Sequence, residues 1–186
     1  MLNLEQESSV ELKDSGFALR SFTMDLVGPR YLAWLHDPQV NRFLVGAHSG
    51  ITIDQARNYC QQLVTSDKDI FLAIFSNPNN QHLGNVRLGP IDVSRHIGNF
   101  SIMIGEEKSR GIGLGTQIFR SCMKYYFEEI GVNRICVDVI KNHHAAVRIY
   151  QKSKLQVDQE SAREIFLNGS WQKLLMMYID KESNWR

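Results

Sequence analysis

The chain predicts an α/β (α+β) fold, a sheet with helices laid against it, and three features of the sequence carry that prediction. Between Ile70 and Ile104, short runs of β-forming residues follow one another with turn residues between them. From Ile118 to Ile130, apolar residues recur at helical spacing in a single stripe. Near the end, Asn168-Gly169 stands between two strand-like runs, the strongest short hairpin signal a sequence offers.

Taken in order, residues 1–15 are polar and are expected to be loosely held, leaving residues 16–181 as a single domain. Phe17–Phe22 alternates as a strand. Gly28-Pro29 opens a helix, with proline near its first position and Tyr31, Leu32, Trp34 and Leu35 on its apolar face. Asp37-Pro38 ends that helix, because a residue before proline avoids the α region. After a short apolar piece from Val40 to Val45, Thr52-Ile53-Asp54-Gln55 opens a second helix. Ile70–Phe75 and Leu83–Leu88 are expected to pair as a hairpin across Asn77-Pro78-Asn79-Asn80, with Asn99–Ile104 as a third strand. The long helix follows and stops at Gly131, a residue suited to the position just past a helix end. Arg134–Ile140 is a strand, about Ala145 to Lys152 a short helix, and the terminal hairpin closes the chain.

Composition sets limits on function. Hydrophobic residues make up 43% and charged residues 22%, the balance of an ordinary globular core and surface. Twenty-one Lys+Arg against twenty Asp+Glu leave a net charge of +1, which argues against a nucleic-acid or anionic-membrane partner. Apolar runs such as Leu174–Ile179 fall far short of the roughly 18 residues a membrane span needs. Met1–Lys13 lacks the basic and apolar regions of a signal peptide. Three widely spaced cysteines, Cys60, Cys122 and Cys136, suit reduced thiols in the cytoplasm. Cys122 and Cys136 fall on apolar faces and read as core. No Cys-x-x-Cys occurs, and His143-His144 point about 100° apart on a helix, so no metal site is expected. No G-x-S-x-G elbow is present for a serine hydrolase.

The chemical signal is Arg110-Gly111-Ile112-Gly113-Leu114-Gly115-Thr116, between a strand and the long helix. Glycines leading into a helix N-terminus present free N–H groups and partial positive charge, and they let a phosphate approach without meeting a Cβ. A Walker A loop needs Lys-Ser or Lys-Thr where Thr116-Gln117 stands, so it fails. The G-x-G-x-G spacing, following an antiparallel meander, also departs from the dinucleotide fingerprint.

The arrangement Arg110-x-x-Gly113-x-Gly115 resembles the acyl-CoA motif of the GNAT acetyltransferase superfamily. The resemblance covers roughly Phe17 to Ile179. Leu32–Val40 looks like the first-helix segment of the RimJ/RimL-type subgroup, and residues 142–152 look like the closing Asn-x-x-Ala-x-x-x-Tyr-x-Lys segment. It implies a mixed, strongly twisted sheet of about seven strands with helices on both faces. It also implies acetyl-CoA as cosubstrate and no metal. The acceptor would be a primary amine, on a small molecule such as an amino sugar or on a protein N-terminus, attacked directly without an acyl-enzyme.

The resemblance places the CoA pyrophosphate on the backbone of Arg110, Gly111, Ile112, Gly113, Leu114, Gly115 and Thr116. It runs the pantetheine arm along Ile102, Met103 and Ile104 and sends the thioester into a gap toward Arg134–Ile140. Tyr150 takes the place of the general acid, its ordinary pKa of about 10 suiting donation to a thiolate. Glu106 is the first choice of base at the mouth of the cleft, with Glu107, Asp92 and His96 nearby and ordered water as a further route. Two departures stand out. Ser153-Lys154-Leu155 replaces the usual Gly-Phe ending, and Asn142 stands eight residues before the tyrosine, where the family's asparagine stands seven before, at His143. These departures keep open a second reading, a non-catalytic acyl-CoA-binding sensor. The terminal hairpin offers an edge for a homodimer.

Overall fold

The computed structural model describes residues 11–14, 16–45, 50–183 and 185. Its sheet has eight strands: β1 (Glu11–Lys13), β2 (Phe17–Ser21), β3 (Ile70–Ser76), β4 (His82–Asp92), β5 (Ile97–Ile104), β6 (Arg134–Ile140), β7 (Gln156–Leu167) and β8 (Ser170–Asp180). Their order across the sheet is β1-β2-β3-β4-β5-β6-β8-β7. The eighth strand is β1, which lies within residues expected to be loosely held. It pairs antiparallel with β2, and the Arg20 guanidinium holds Glu11 at 3.1 Å. Its partner edge, not its own composition, makes it a strand.

Among the described residues, five α-helices flank the sheet: α1 (Pro29–His36), α2 (Pro38–Asn41), α3 (Ile53–Val64), α4 (Leu114–Tyr125) and α5 (His144–Lys152). Asp37 ends α1 and starts α2, its side chain accepting from the Gln39 amide at 2.8 Å. Thr52 and Gln55 form a reciprocal capping box at the start of α3. On β3, Leu72 and Ile74 face α4 while Phe71 and Ala73 face α1 and α3, so strand alternation gives the molecule a core on each face. Ile118, Phe119, Cys122, Met123, Tyr126 and Phe127 are buried as the helical stripe predicts. Each large apolar side chain there contributes roughly 1.5–3 kcal/mol relative to exposure.

All strand pairings are antiparallel except β5 with β6, which is parallel and joins only Ile97–Asn99 to Arg134–Cys136. Beyond Asn99 the two strands separate, leaving the Ser101–Ile104 backbone without a strand partner on that side. Beside this point α4 ends by widening into a π-helical turn over Tyr126–Ile130 before Gly131 closes it. The turn delivers the Tyr126 ring against Gly98, where a Cβ would lie 2.5 Å from the ring, and the Tyr126 hydroxyl donates to the Asn99 carbonyl at 2.5 Å.

The last helix ends without glycine. Lys154 adopts φ +66°, the left-handed conformation the Gly of the family ending would take, and Leu155 follows it into the core. At the terminal hairpin Asn168 and Gly169 both have positive φ, 49° and 80°, as a two-residue turn requires.

Candidate active site

Where β5 parts from β6, two half-sites meet. The first is the glycine loop. Gly111 and Gly113 have φ of +77° and +91°, and nothing lies within 4 Å of a Cβ at either. Their backbone conformation, not crowding, requires glycine there. The amides of Gly111, Ile112, Gly113, Leu114 and Gly115 donate to no backbone acceptor among the described residues, whereas the Thr116 amide bonds Gly113 O at 3.0 Å. Five successive open donors at the start of α4 form an anion cradle. Gly115 has a different cause: a Cβ there would meet the Ile149 side chain at 2.6 Å, so it lets α4 approach α5.

The Arg110 side chain turns inward. Nε donates to Ile104 O at 3.0 Å, and Nη2 donates to Gly105 O and to Asp37 Oδ2, the latter at 2.7 Å. Arg110 thus ties the loop to the end of β5 and to the α1–α2 corner. Burial works against the Asp37 carboxylate, but the Gln39 amide and the Arg110 guanidinium outweigh it and hold its pKa below the usual range.

Tyr150 of α5 packs edge-on against Phe119 and Phe100, with ring centroids 5.3 and 6.5 Å apart. Phe100 is the first residue of β5 past the last parallel pair, so the ring stands at the split. The ring is buried, but its hydroxyl is not among the fully occluded unpartnered polar atoms, which are Asn85 Nδ2 and Ser153 Oγ. Burial pushes the phenol above its ordinary pKa, so the hydroxyl stays protonated across the neutral range. Ile102, Met103 and Ile104 line the separated part of β5 and are half-buried.

The second half-site is a cavity of about 290 Å³ on the α1/α3 face, reaching Ser101, Ile102 and Met103 of β5. Its floor includes Asn85 and Arg87 of β4, and its walls include Tyr31, Leu35 and Phe71. Burial raises the pKa of Tyr31 and of Cys60, whose thiol donates to the Tyr31 oxygen at 3.3 Å, so both are neutral. Trp34 does not line this space. It is core, wedged against the Gly105 backbone and His82.

The remaining expected site residues fall elsewhere. Glu106 does not line the cavity; its carboxylate lies 2.6 Å from Arg30 and 3.5 Å from the Gln81 amide. Asn142 is exposed in the turn before α5. His143 takes the helix start instead: its Nδ1 accepts from the Ala146 amide at 3.0 Å, and its ring lies tilted against Phe43, with centroids 3.9 Å apart. Burial lowers its pKa, which suits the neutral ring this cap requires. Asn85 and Arg87 were not legible as site residues, because in sequence they are polar positions alternating along a strand.

A sheet split between two parallel strands, with an open-amide loop entering a helix beside the split, defines the acyl-CoA-dependent acetyltransferase architecture. The acetyltransferase (GNAT) domain model matches residues 17–156, and the chain belongs to that family. The spermidine N(1)-acetyltransferase of Escherichia coli strain K12 is 29% identical over 101 residues, 54% of this chain and 54% of that protein. The match therefore spans about half the length of that curated relative. Among solved structures, spermidine N-acetyltransferase from Vibrio cholerae in complex with CoA and spermine superposes with TM-score 0.78 at 17% identity, covering 90% of this chain and 97% of that one. RimL, a ribosomal L7/L12 alpha-N-protein acetyltransferase in complex with coenzyme A, superposes with TM-score 0.81 at 13% identity, covering 92% and 98%.

Proposed function

We propose that the protein transfers acetyl from acetyl-CoA to a primary amine by direct attack. What supports this reading is the run of five open loop amides at the start of α4, the strand edge left unpaired beyond Asn99, and the Tyr150 ring packed on Phe100 just past the last parallel pair. The amides of residues 111–115 hold the pyrophosphate, and the pantetheine arm follows Ile102–Ile104. Relatives that act on spermidine and on a ribosomal protein amine, and structures solved with CoA, support the cosubstrate and the amine class.

The neutral amine nitrogen attacks the thioester carbonyl carbon, forming the C–N bond. The tetrahedral intermediate collapses, the C–S bond breaks and the electron pair leaves on sulfur. Tyr150, kept protonated by its burial, donates to that sulfur, and the proton lost by the nitrogen restores the phenol through solvent. Glu106, engaged with Arg30, takes no part in this scheme.

The test is Tyr150→Phe. Acetyl-CoA affinity measured by calorimetry stays within about twofold, while thiol release falls by about 10²-fold or more. Unchanged turnover overturns the acid role. Acetyl-CoA binding without turnover on any amine, in the unmodified protein, leaves a CoA-binding module instead of an enzyme.

A further inference from the structure

One donor in the lining of the α1/α3 cavity has no acceptor of its own. Asn85 is 4% exposed, and its Nδ2 has no hydrogen-bond partner. Its orientation is fixed by His82, whose Nε2 lies 3.0 Å from both Gly84 O and Asn85 Oδ1. A nitrogen facing two acceptors carries the ring proton, so the Asn85 oxygen accepts and its amide N–H groups are left over. Tyr31 sits beside this amide without satisfying it. Two residues along the same face of β4, Arg87 gives its Nε to Asp69, at 2.7 Å. Its terminal nitrogens form the fork that recognises carboxylates in pairs, and the partner they meet in the cavity wall is the neutral Tyr59 hydroxyl, which an incoming carboxylate can displace. Ser101 stands opposite Arg87 on β5. None of the residues lining the cavity is aspartate or glutamate.

A buried donor left unpaired costs about 1–3 kcal/mol, and an acceptor brought by a ligand recovers it. A polyamine brings only donors and positive charge, and it meets here an amide that needs an acceptor and a guanidinium whose carboxylate, Asp69, is already engaged and stands outside the cavity lining. Apolar walls and a volume of about 290 Å³ fit a small molecule with an apolar body.

Resting on the acetyl-transfer reading, we propose that the acceptor is a small apolar amine that carries a carboxylate, an amino acid in chemical class, with the carboxylate received by Arg87 and Asn85. The amine end then faces Ser101–Met103, the stretch of β5 that borders the split. Arg87 is the specificity-determining residue.

The experiment measures binding to the CoA-saturated protein by calorimetry for leucine, phenylalanine, their decarboxylated counterparts isoamylamine and phenethylamine, leucinamide, and spermidine. Each amino acid is expected to bind at least about tenfold more tightly than its decarboxylated counterpart and than leucinamide. The double variant Arg87→Gln with Asp69→Asn, which leaves no unpaired buried charge, is expected to bring these ratios within about twofold. Arg87→Lys keeps the charge but not the fork and is expected to fall between. A melting curve for each variant shows that it remains folded. Equal affinity for amino acid and counterpart, equal affinity for leucinamide, tighter spermidine, or no amino acid binding overturns the proposal. Thiol release in the same mixtures reads the transfer separately. Carboxylate-dependent binding without thiol release keeps this inference and sinks the acetyl-transfer reading, whereas thiol release with spermidine alone does the reverse.

Discussion

Replacing Lys154 by glycine should leave the protein more stable than replacing it by alanine. Lys154 sits just past α5 at φ +66°, where its amide bonds Gln151 O and the next amide, Leu155, bonds Tyr150 O, both at 3.0 Å. A side chain in the left-handed region costs about 1–2 kcal/mol, which glycine does not incur. Glycine loses roughly 0.5–1 kcal/mol to the greater freedom of its unfolded chain. The lysine charge near the helix C-terminus is worth about 0.3–1 kcal/mol and is lost as well. Lys154→Ala isolates the backbone effect, since it drops the charge and keeps the conformational cost. Lys154→Gly should therefore exceed Lys154→Ala by about 0.5–1 kcal/mol, or about 2–4 °C per kcal/mol in a chain of 186 residues. Urea unfolding of the three proteins, with acetyl-CoA affinity as a control for the Tyr150 end of the helix, measures it. Lys154→Ala equal to or more stable than Lys154→Gly would refute the argument, because the left-handed backbone would then carry no cost.

The other expectations concern the site and its supports. His82 and His143 are held below the ordinary histidine pKa chiefly by burial, so both are neutral when folded. The unfolded chain binds these protons first, so stability is full above about pH 6.5 and falls as the pH drops toward the folded values. His143→Asn keeps a helix cap and removes one of these groups, so urea midpoints followed from about pH 7.5 to 5 should fall less steeply; an unchanged slope rejects the assignment. Glu106→Gln should change thiol release by less than about threefold, and a loss of about 10²-fold would restore it as the base. Gly105→Ala drives a Cβ to 2.1 Å from the Trp34 ring, whereas Gly111→Ala meets open space. The first should cost about 3 kcal/mol or more and the second about 1–2, so the reverse order in urea unfolding would contradict the packing described.

Much of the fold is written in local signals. The Thr52–Gln55 capping box, the Ile118–Phe127 stripe, Gly131 and the Asn168-Gly169 turn each act within a few residues, and each marks an element where the pattern places it. The strand Glu11–Lys13 is not local, since its pairing depends on β2. The same holds at the site. The glycine loop is legible because backbone conformation demands glycine, and Tyr150 because its neighbours resemble a known segment. The inward turn of the Arg110 guanidinium depends on Asp37, 73 residues away, and the engagement of Glu106 depends on Arg30, 76 residues away. His143 in place of Asn142 as the helix cap turns on a one-residue choice that pattern does not resolve.

The divergence of β5 and β6 gives this sheet an edge in its middle. Unpaired strand edges ordinarily invite another polypeptide to pair with them, and proteins blunt them with charge, bulges or cover. Here the exposed backbone is the short stretch Ser101–Ile104, with α4 and α5 packed on one face and α1 and α3 on the other. A β-strand would bring side chains to both faces, where the helices already stand. A slender, unbranched chain with peptide-like amide groups does not, and the pantetheine arm proposed above is such a chain. On that proposal the edge selects by girth, admitting a cofactor arm and refusing a second polypeptide strand.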